Sequence, residues 1–214
     1  MVINNINESI TLIPLAYYKD YSSCIDLALK NINIDSIKEI RCVHEDSKDA
    51  FIVSLKDKFD IEEDRDSFDY IYEADKIRTL AGRKNSKKRN HINYFLKEYE
   101  DRYEYKSLNE EDFSDCLTLL ETWQLGREMT EDMINEHKAI EKIFSDYSFL
   151  SEYIKIGGVY IDGVLKAFSV GSMVNEDTVI VHIEKADAEI RGLYPFIAQQ
   201  FLINEFADAK YVNR

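Results

Sequence analysis

The chain is poor in the residues that punctuate or staple a fold. It has two prolines and seven glycines in 214 residues, which argues against long structureless linkers. Its three cysteines, Cys24, Cys42 and Cys116, stand far apart, are odd in number and form no C-x-x-C pair. Neither a disulfide framework nor a zinc site follows, and three buried free thiols are expected. His44, His91, His137 and His182 show no metal-ligand spacing, so no metal is expected. No apolar run approaches the ~20 residues of a membrane helix. The start, Met1-Val2-Ile3-Asn4-Asn5, lacks the basic-then-apolar pattern of a signal peptide. A cytoplasmic protein without a transmembrane segment is the expectation. No G-x-S-x-G and no P-loop occurs.

What is present is globular composition, 45% hydrophobic and 32% charged, with a net charge of -14. Such a surface repels phosphate backbones and anionic lipid at long range. The acid is concentrated: Glu45 to Asp75 holds twelve acidic residues against four basic ones. Then the sign reverses. Arg83, Lys84, Lys87, Lys88 and Arg89 come with no acid among them, and His91 follows. This stretch has three readings: a phosphate contact for tRNA or a nucleotide-bearing donor, a solvated helix face, or a partner for Glu62, Glu63 and Asp64.

Periodicity predicts the elements. Ile10–Leu15 reads as a short edge strand holding Pro14, and Ile37–Val43 as another. Ser22 or Ser23 caps a helix carrying Ile25, Leu27, Ala28 and Leu29, and Ser47–Phe59 is helical. Asp69–Tyr72 is extended, and Ala74–Ala81 is a helix closed by Gly82. Ile92, Phe95, Leu96 and Tyr99 keep helical spacing downstream of the basic run. Tyr103 and Tyr105 lie on a strand. Asn109 and Thr130 cap two helices, the second carrying Met133, His137, Ile140 and Phe144, with His137 a core histidine. Ile154–Ile161 is a strand with a bulge at Gly157-Gly158. Asp162-Gly163 is a two-residue hairpin turn into Val164–Met173. Thr178–Glu184 is a third strand, with Thr178, Ile180, His182 and Glu184 on one face and the apolar Val179, Val181 and Ile183 on the other. A helix follows over about Tyr194–Phe206, with Pro195 in its first turn, then a strand at Tyr211-Val212.

Three stretches carry a family resemblance. They are Phe68-Asp69-Tyr70-Ile71-Tyr72, the run from Gly82 through Arg83, Lys87, Lys88 and Arg89 to Asn93, and Val181-His182-Ile183-Glu184-Lys185-Ala186-Asp187 continuing to Ile190-Arg191-Gly192-Leu193-Tyr194. On these residues the chain resembles the DUF2156 family, which is related to the C-terminal domain of phosphatidylglycerol lysyltransferases. Its members look like tandem GNAT acyltransferase modules. The resemblance implies an α/β (α+β) fold, a GNAT-like mixed sheet flanked by helices. It implies a partial N-terminal module with a basic connecting helix over residues 1–100, and a C-terminal module over residues 101–214 that lacks its last helix and strands. On that reading the chain is truncated at both ends, and the Tyr211-Val212 strand is an exposed edge prone to self-association.

The resemblance also implies a chemistry. A GNAT-like enzyme transfers an acyl or aminoacyl group, from acyl-CoA or aminoacyl-tRNA, to an amine or hydroxyl acceptor. The donor would sit at the strand-to-helix turn Arg191, Gly192, Leu193 and Tyr194, where backbone N–H groups hold phosphate. Only Gly192 fits the GNAT donor pattern there. Glu189 brings negative charge, and Tyr194 stands where a small residue is expected. His182 or Glu184 would act as general base. Arg83, Lys87, Lys88 and Arg89 would contact donor phosphates or tRNA. The alternative is a non-catalytic binding module or an inactive fragment.

Overall fold

The structure, a computed structural model, describes residues 9–11, 39–41, 49, 60, 62–65, 68–125 and 127–214. The helix expected after Ser22, most of the Ser47–Phe59 helix, Pro14, and the cysteines Cys24 and Cys42 lie outside the described residues. The chain divides into two compact units, Met1–Phe68 and Asp69–Arg214. In the first, β1 (Ser9–Thr11) and β2 (Glu39–Arg41) pair in parallel, with Ile10 opposite Ile40.

The second unit holds a six-stranded mixed sheet. Its strands are β3 (Ile71–Glu73), β4 (Tyr103–Ser107), β5 (Ile154–Ile161), β6 (Val164–Met173), β7 (Thr178–Ala186) and β8 (Tyr211–Asn213), in the order β3-β8-β7-β6-β5-β4. Its helices are α1 (Ala74–Thr79), α2 (Ser86–Glu98), α3 (Phe113–Gln124), α4 (Glu131–Ser145), α5 (Tyr147–Leu150) and α6 (Leu193–Asn204). Strands β4 to β7 form an antiparallel meander; α6 then crosses over and returns the chain as β8, parallel to β7. Asp162 (φ 50°) and Gly163 (φ 79°) both take left-handed backbone, as the β5–β6 hairpin requires.

Two helical layers cover the sheet. On one face α3 and α4 pack Phe113, Cys116, Leu120, Ile140 and Phe144 against Ile156, Phe168, Val170 and Ile183. On the other, α2 and α6 bring Ile92, Phe95, Leu193, Phe196 and Ile197 onto Val159, Ile161, Ala167 and Ala186. Beside them α1 and the end of α6 close over Val179 and Val212. Side-chain bonds hold the helix starts. Asn109 and Asp112 form a reciprocal capping box ahead of α3, and Thr130 Oγ1 accepts from the Met133 N–H at the start of α4.

The structure corrects several expectations. The boundary falls at Phe68/Asp69, not near residue 100, because β3 is a strand of the second sheet and α2 packs on α6. The strand at Tyr211-Val212 is not an edge. β3 pairs antiparallel with β8, Tyr72 opposite Val212, so the edge available for self-association is not there. Pairing of β8 with β7 spans Thr178–Ile180. The left-handed cap of α1 is Leu80 (φ 48°).

The glycines of β5 do not form the bulge. Gly157 and Gly158 stay in register, and a Cβ on either would collide with Tyr105 and Phe201 or with Leu108 and Leu165. The irregularity lies instead on β6. There Lys166 is the extra residue, since Ala167 faces Val159 and Leu165 faces Tyr160. A second bulge sits on β7. Val170 faces Ile183 while Gly171 faces Val181, which leaves His182 as the extra residue. Its consequence is large. Val179 and Val181 pack with α6, whereas Ile183 packs with α3 and α4, so the expected single apolar face of β7 is divided between both sides of the sheet.

Candidate functional site

The bulge also separates the two candidate bases. Phe168 and Val170 belong to the α3/α4 face, so Ser172 does too. His182 Nε2 lies 2.8 Å from Ser172 Oγ, which puts the imidazole on that face. Glu184 is opposite Ser169, and Ser169 alternates with Phe168 and Val170 toward α6. His182 and Glu184 therefore lie on opposite faces, not side by side. Partial desolvation of the ring lowers the His182 pKa from its ordinary value, although the residue as a whole is exposed.

Glu184 is the more enclosed group, with its side chain 13% exposed. Burial pushes its pKa up from the usual carboxylate range. Two cations act against that rise: Arg214, whose Nη2 donates to Glu184 Oε1 at 2.5 Å, and Lys88 from α2. A carboxyl group whose pKa is raised by burial is a stronger base than an ordinary carboxylate and suits proton abstraction.

The charge of Lys88 is felt at Glu184 because of how α2 is seated. At Gly192 (φ 92°) a Cβ would collide with the His91 carbonyl oxygen and stand 3.0 Å from Phe95 Cβ. The main chain of α2 thus lies directly on the β7–α6 turn, and only glycine leaves room. The residues that meet the turn are His91 and Phe95, which follow the basic stretch on the same helix. Within the stretch the roles divide. Arg89 Nη1 donates to the carbonyls of Leu80 and Gly82, closing the segment that enters α2. Arg83, Lys84, Lys87 and Lys88 are exposed. Glu62, Glu63 and Asp64 belong to the other unit.

The turn itself is largely occupied. The Ile190 and Leu193 N–H groups donate to the carbonyls of Asp187 and Ile190. Leu193 is buried in the core beneath α2. The Arg191 guanidinium lies 4.8 Å from the centre of the Tyr94 ring. Tyr194, out of place by the GNAT pattern, accepts a hydrogen bond from Trp123 Nε1 at 3.0 Å. A pyrophosphate would share this turn with the main chain of α2.

Sequence reasoning missed two groups here. Arg214 reaches Glu184 only through β8. Lys185 is buried in an ion pair with Glu136 at 2.8 Å and lies 4.1 Å from the Trp123 ring centre. It stands inside the Val181–Asp187 stretch, which was the available signal. A pocket of 650 Å³ opens elsewhere, at the β4 edge of the sheet beside Arg102, Lys106, Asp112, Asp115 and Tyr160. Two of its carboxylates are engaged: Lys106 and Tyr160 bond Asp112, and Tyr160 bonds Asp115. No described helix is long and apolar enough to cross a membrane.

The chain matches the family model described as phosphatidylglycerol lysyltransferase, C-terminal, over residues 39–213. An uncharacterized protein of Mycoplasmoides gallisepticum is 30% identical over 152 residues, 69% of this chain and 47% of that one. The chain thus spans about half the length of this curated relative. Among solved structures, a conserved protein of unknown function from Bacteroides thetaiotaomicron has 27% identity and a TM-score of 0.82, over 96% of this chain and 69% of the other. The C-terminal domain of a putative lysylphosphatidylglycerol synthetase from Agrobacterium fabrum has 11% identity and a TM-score of 0.59, over 96% and 63%. The latter likeness is one of fold alone.

Proposed function

The chain belongs to the phosphatidylglycerol lysyltransferase C-terminal family, and from that premise we propose that it transfers an aminoacyl group from aminoacyl-tRNA to an amine or hydroxyl acceptor, with Glu184 as general base. The observation that carries this reading is the meeting of a buried carboxyl group of raised pKa with a basic helix. Lys88 of α2 acts on Glu184 through its charge, and α2 is seated on the β7–α6 turn. In the reaction the acceptor N–H or O–H attacks the aminoacyl ester carbon. Glu184 takes the acceptor's proton as the new bond forms, and passes it to the departing oxygen as the ester C–O bond breaks, which releases the tRNA hydroxyl and restores the carboxylate. Arg83, Lys87 and Lys88 draw the tRNA phosphates in against an otherwise repulsive surface.

Two observations favour tRNA over coenzyme A as donor. The Gly192 turn spends its Ile190 and Leu193 N–H groups internally, and α2 covers it. The exposed cations instead line α2, where a polyanion has access. The same occupied turn favours a second reading, a binding module without chemistry.

The test uses the full chain with radiolabelled lysyl-tRNA and phosphatidylglycerol vesicles, the acceptor that the family description names. Acetyl-CoA with the same acceptor is the comparison. The expected result is transfer from lysyl-tRNA that Glu184→Gln lowers about 100-fold or more, since a general base contributes 10²–10⁴. tRNA binding without transfer would leave the binding module.

A further inference from the structure

The start of α2 carries cations with no carboxylate of their own. Arg83, Lys84, Lys87 and Lys88 are exposed, and none of them forms an ion pair among the described residues. On a chain of net charge -14 this is a local exception. Helical spacing continues the row. Lys87, His91 and Tyr94 stand at i, i+4 and i+7, so they share one face of α2. Tyr94 lies about 10 Å beyond Lys87 along the helix axis.

Tyr94 is a large ring left open at the end of that row. It is 45% exposed, although the Arg191 guanidinium lies 4.8 Å from the ring centre. Arg191 precedes Gly192, so this contact holds the ring beside the β7–α6 turn, where the main chain of His91 also meets it. Unpaired nucleic-acid bases stack on such rings and on guanidinium planes, while a neighbouring row of cations tracks the backbone. Beyond the ring the charge changes sign. Glu98 stands on the same face one turn further on, and Glu100 follows; both are exposed, as is Glu189 ahead of Arg191. A phosphate is attracted at Lys87 and repelled past Tyr94, so a strand that runs along α2 has to end at the ring.

We propose that Tyr94, backed by Arg191, is a stacking platform for the last unpaired base of a single-stranded RNA end, with Lys87 on a phosphate that leads to it. The occupant is the 3′ end of the donor tRNA, which carries the aminoacyl ester; this assignment rests on the tRNA reading given above. A terminal nucleotide has no phosphate beyond it, which suits a platform bounded by acid at Glu98. Stacking on the ring contributes affinity without releasing counterions, whereas the lysines contribute the part that salt weakens. Tyr94 is a binding residue and takes no part in the proton transfer at Glu184.

The experiment measures binding of RNA hairpins to the full chain by fluorescence anisotropy across a salt series. The hairpins share one duplex; one has a short unpaired 3′ end, another is blunt, and a third has the unpaired end with its last base removed. The wild-type chain is expected to favour the unpaired end over the blunt one by about 5- to 150-fold, the worth of one stacked base. Tyr94→Ala is expected to lose that preference and keep the salt slope, and Tyr94→Trp to keep both. A folded Y94A protein with the wild-type preference overturns the platform and leaves the tRNA reading standing. The abasic end needs no variant: the wild-type chain should bind it as weakly as the blunt hairpin, and equal affinity for the intact and abasic ends overturns the platform. A wild-type chain that binds none of the hairpins overturns the platform and the tRNA reading together.

Discussion

Glu184 is held between opposing influences, burial favouring its neutral form and Arg214 with Lys88 favouring its charge. Burial prevails, and that has a consequence for stability as well as for chemistry. A carboxyl group whose folded pKa lies above its unfolded value binds more protons when folded. Its contribution to stability is therefore fully present below the unfolded pKa of 4.5 and is lost as pH rises through the folded value. Relative to E184Q, the wild-type chain should be most stable at and below pH 4.5 and lose ground as pH climbs. Urea midpoints of both proteins from acid to neutral pH check this; a wild type that gains on E184Q with rising pH would show that Arg214 and Lys88 outweigh burial. Glu184 was legible as a polar residue on an apolar strand. Its pairing with Arg214 was not, because that contact comes from the strand beside it.

At the scale of elements, α2 and β7 decide the site. The basic helix was readable from the charge reversal and the spacing of Ile92, Phe95, Leu96 and Tyr99. Its seat on Gly192 was not, because the contact joins residues about a hundred positions apart. The β5–β6 hairpin was equally legible, since Asp162 and Gly163 carry their turn geometry locally. The bulge at His182 left no mark in the sequence. Bulges arise from register between strands, and strict alternation misassigned every β7 residue beyond it. The cover of β3 over β8 escaped for the same reason. Within α2 the cations should separate experimentally. Arg89→Ala removes two bonds to backbone carbonyls and should cost about 1–3 kcal/mol. The double variant K87A/K88A should change stability by less than about 1 kcal/mol, as exposed charges do. Denaturant unfolding of the two variants side by side is the measurement. Equal losses would place Lys87 and Lys88 in the fold rather than at a ligand.

Over the whole molecule, a net charge of -14 works against any polyanionic ligand, so attraction must come from a local patch. Uncharged tRNA should bind the wild-type chain with strong salt dependence. K87A/K88A should flatten the log–log slope by roughly 0.7–0.9 for each phosphate that is no longer neutralised. Filter binding across a salt series reads this, and an unaltered slope would take the two lysines out of the interface. On the proposed reading, the donor approaches across α2 and the base, Glu184, stands on β7. The most direct measurement is the single-turnover rate of aminoacyl transfer from lysyl-tRNA as a function of pH, for wild type and E184Q, set beside the titration of Glu184 itself. The account predicts a wild-type rate that rises with pH at the Glu184 midpoint, and a folded E184Q protein that is slower by about 100-fold or more with that inflection gone. A folded E184Q protein that keeps the wild-type rate and inflection would contradict it.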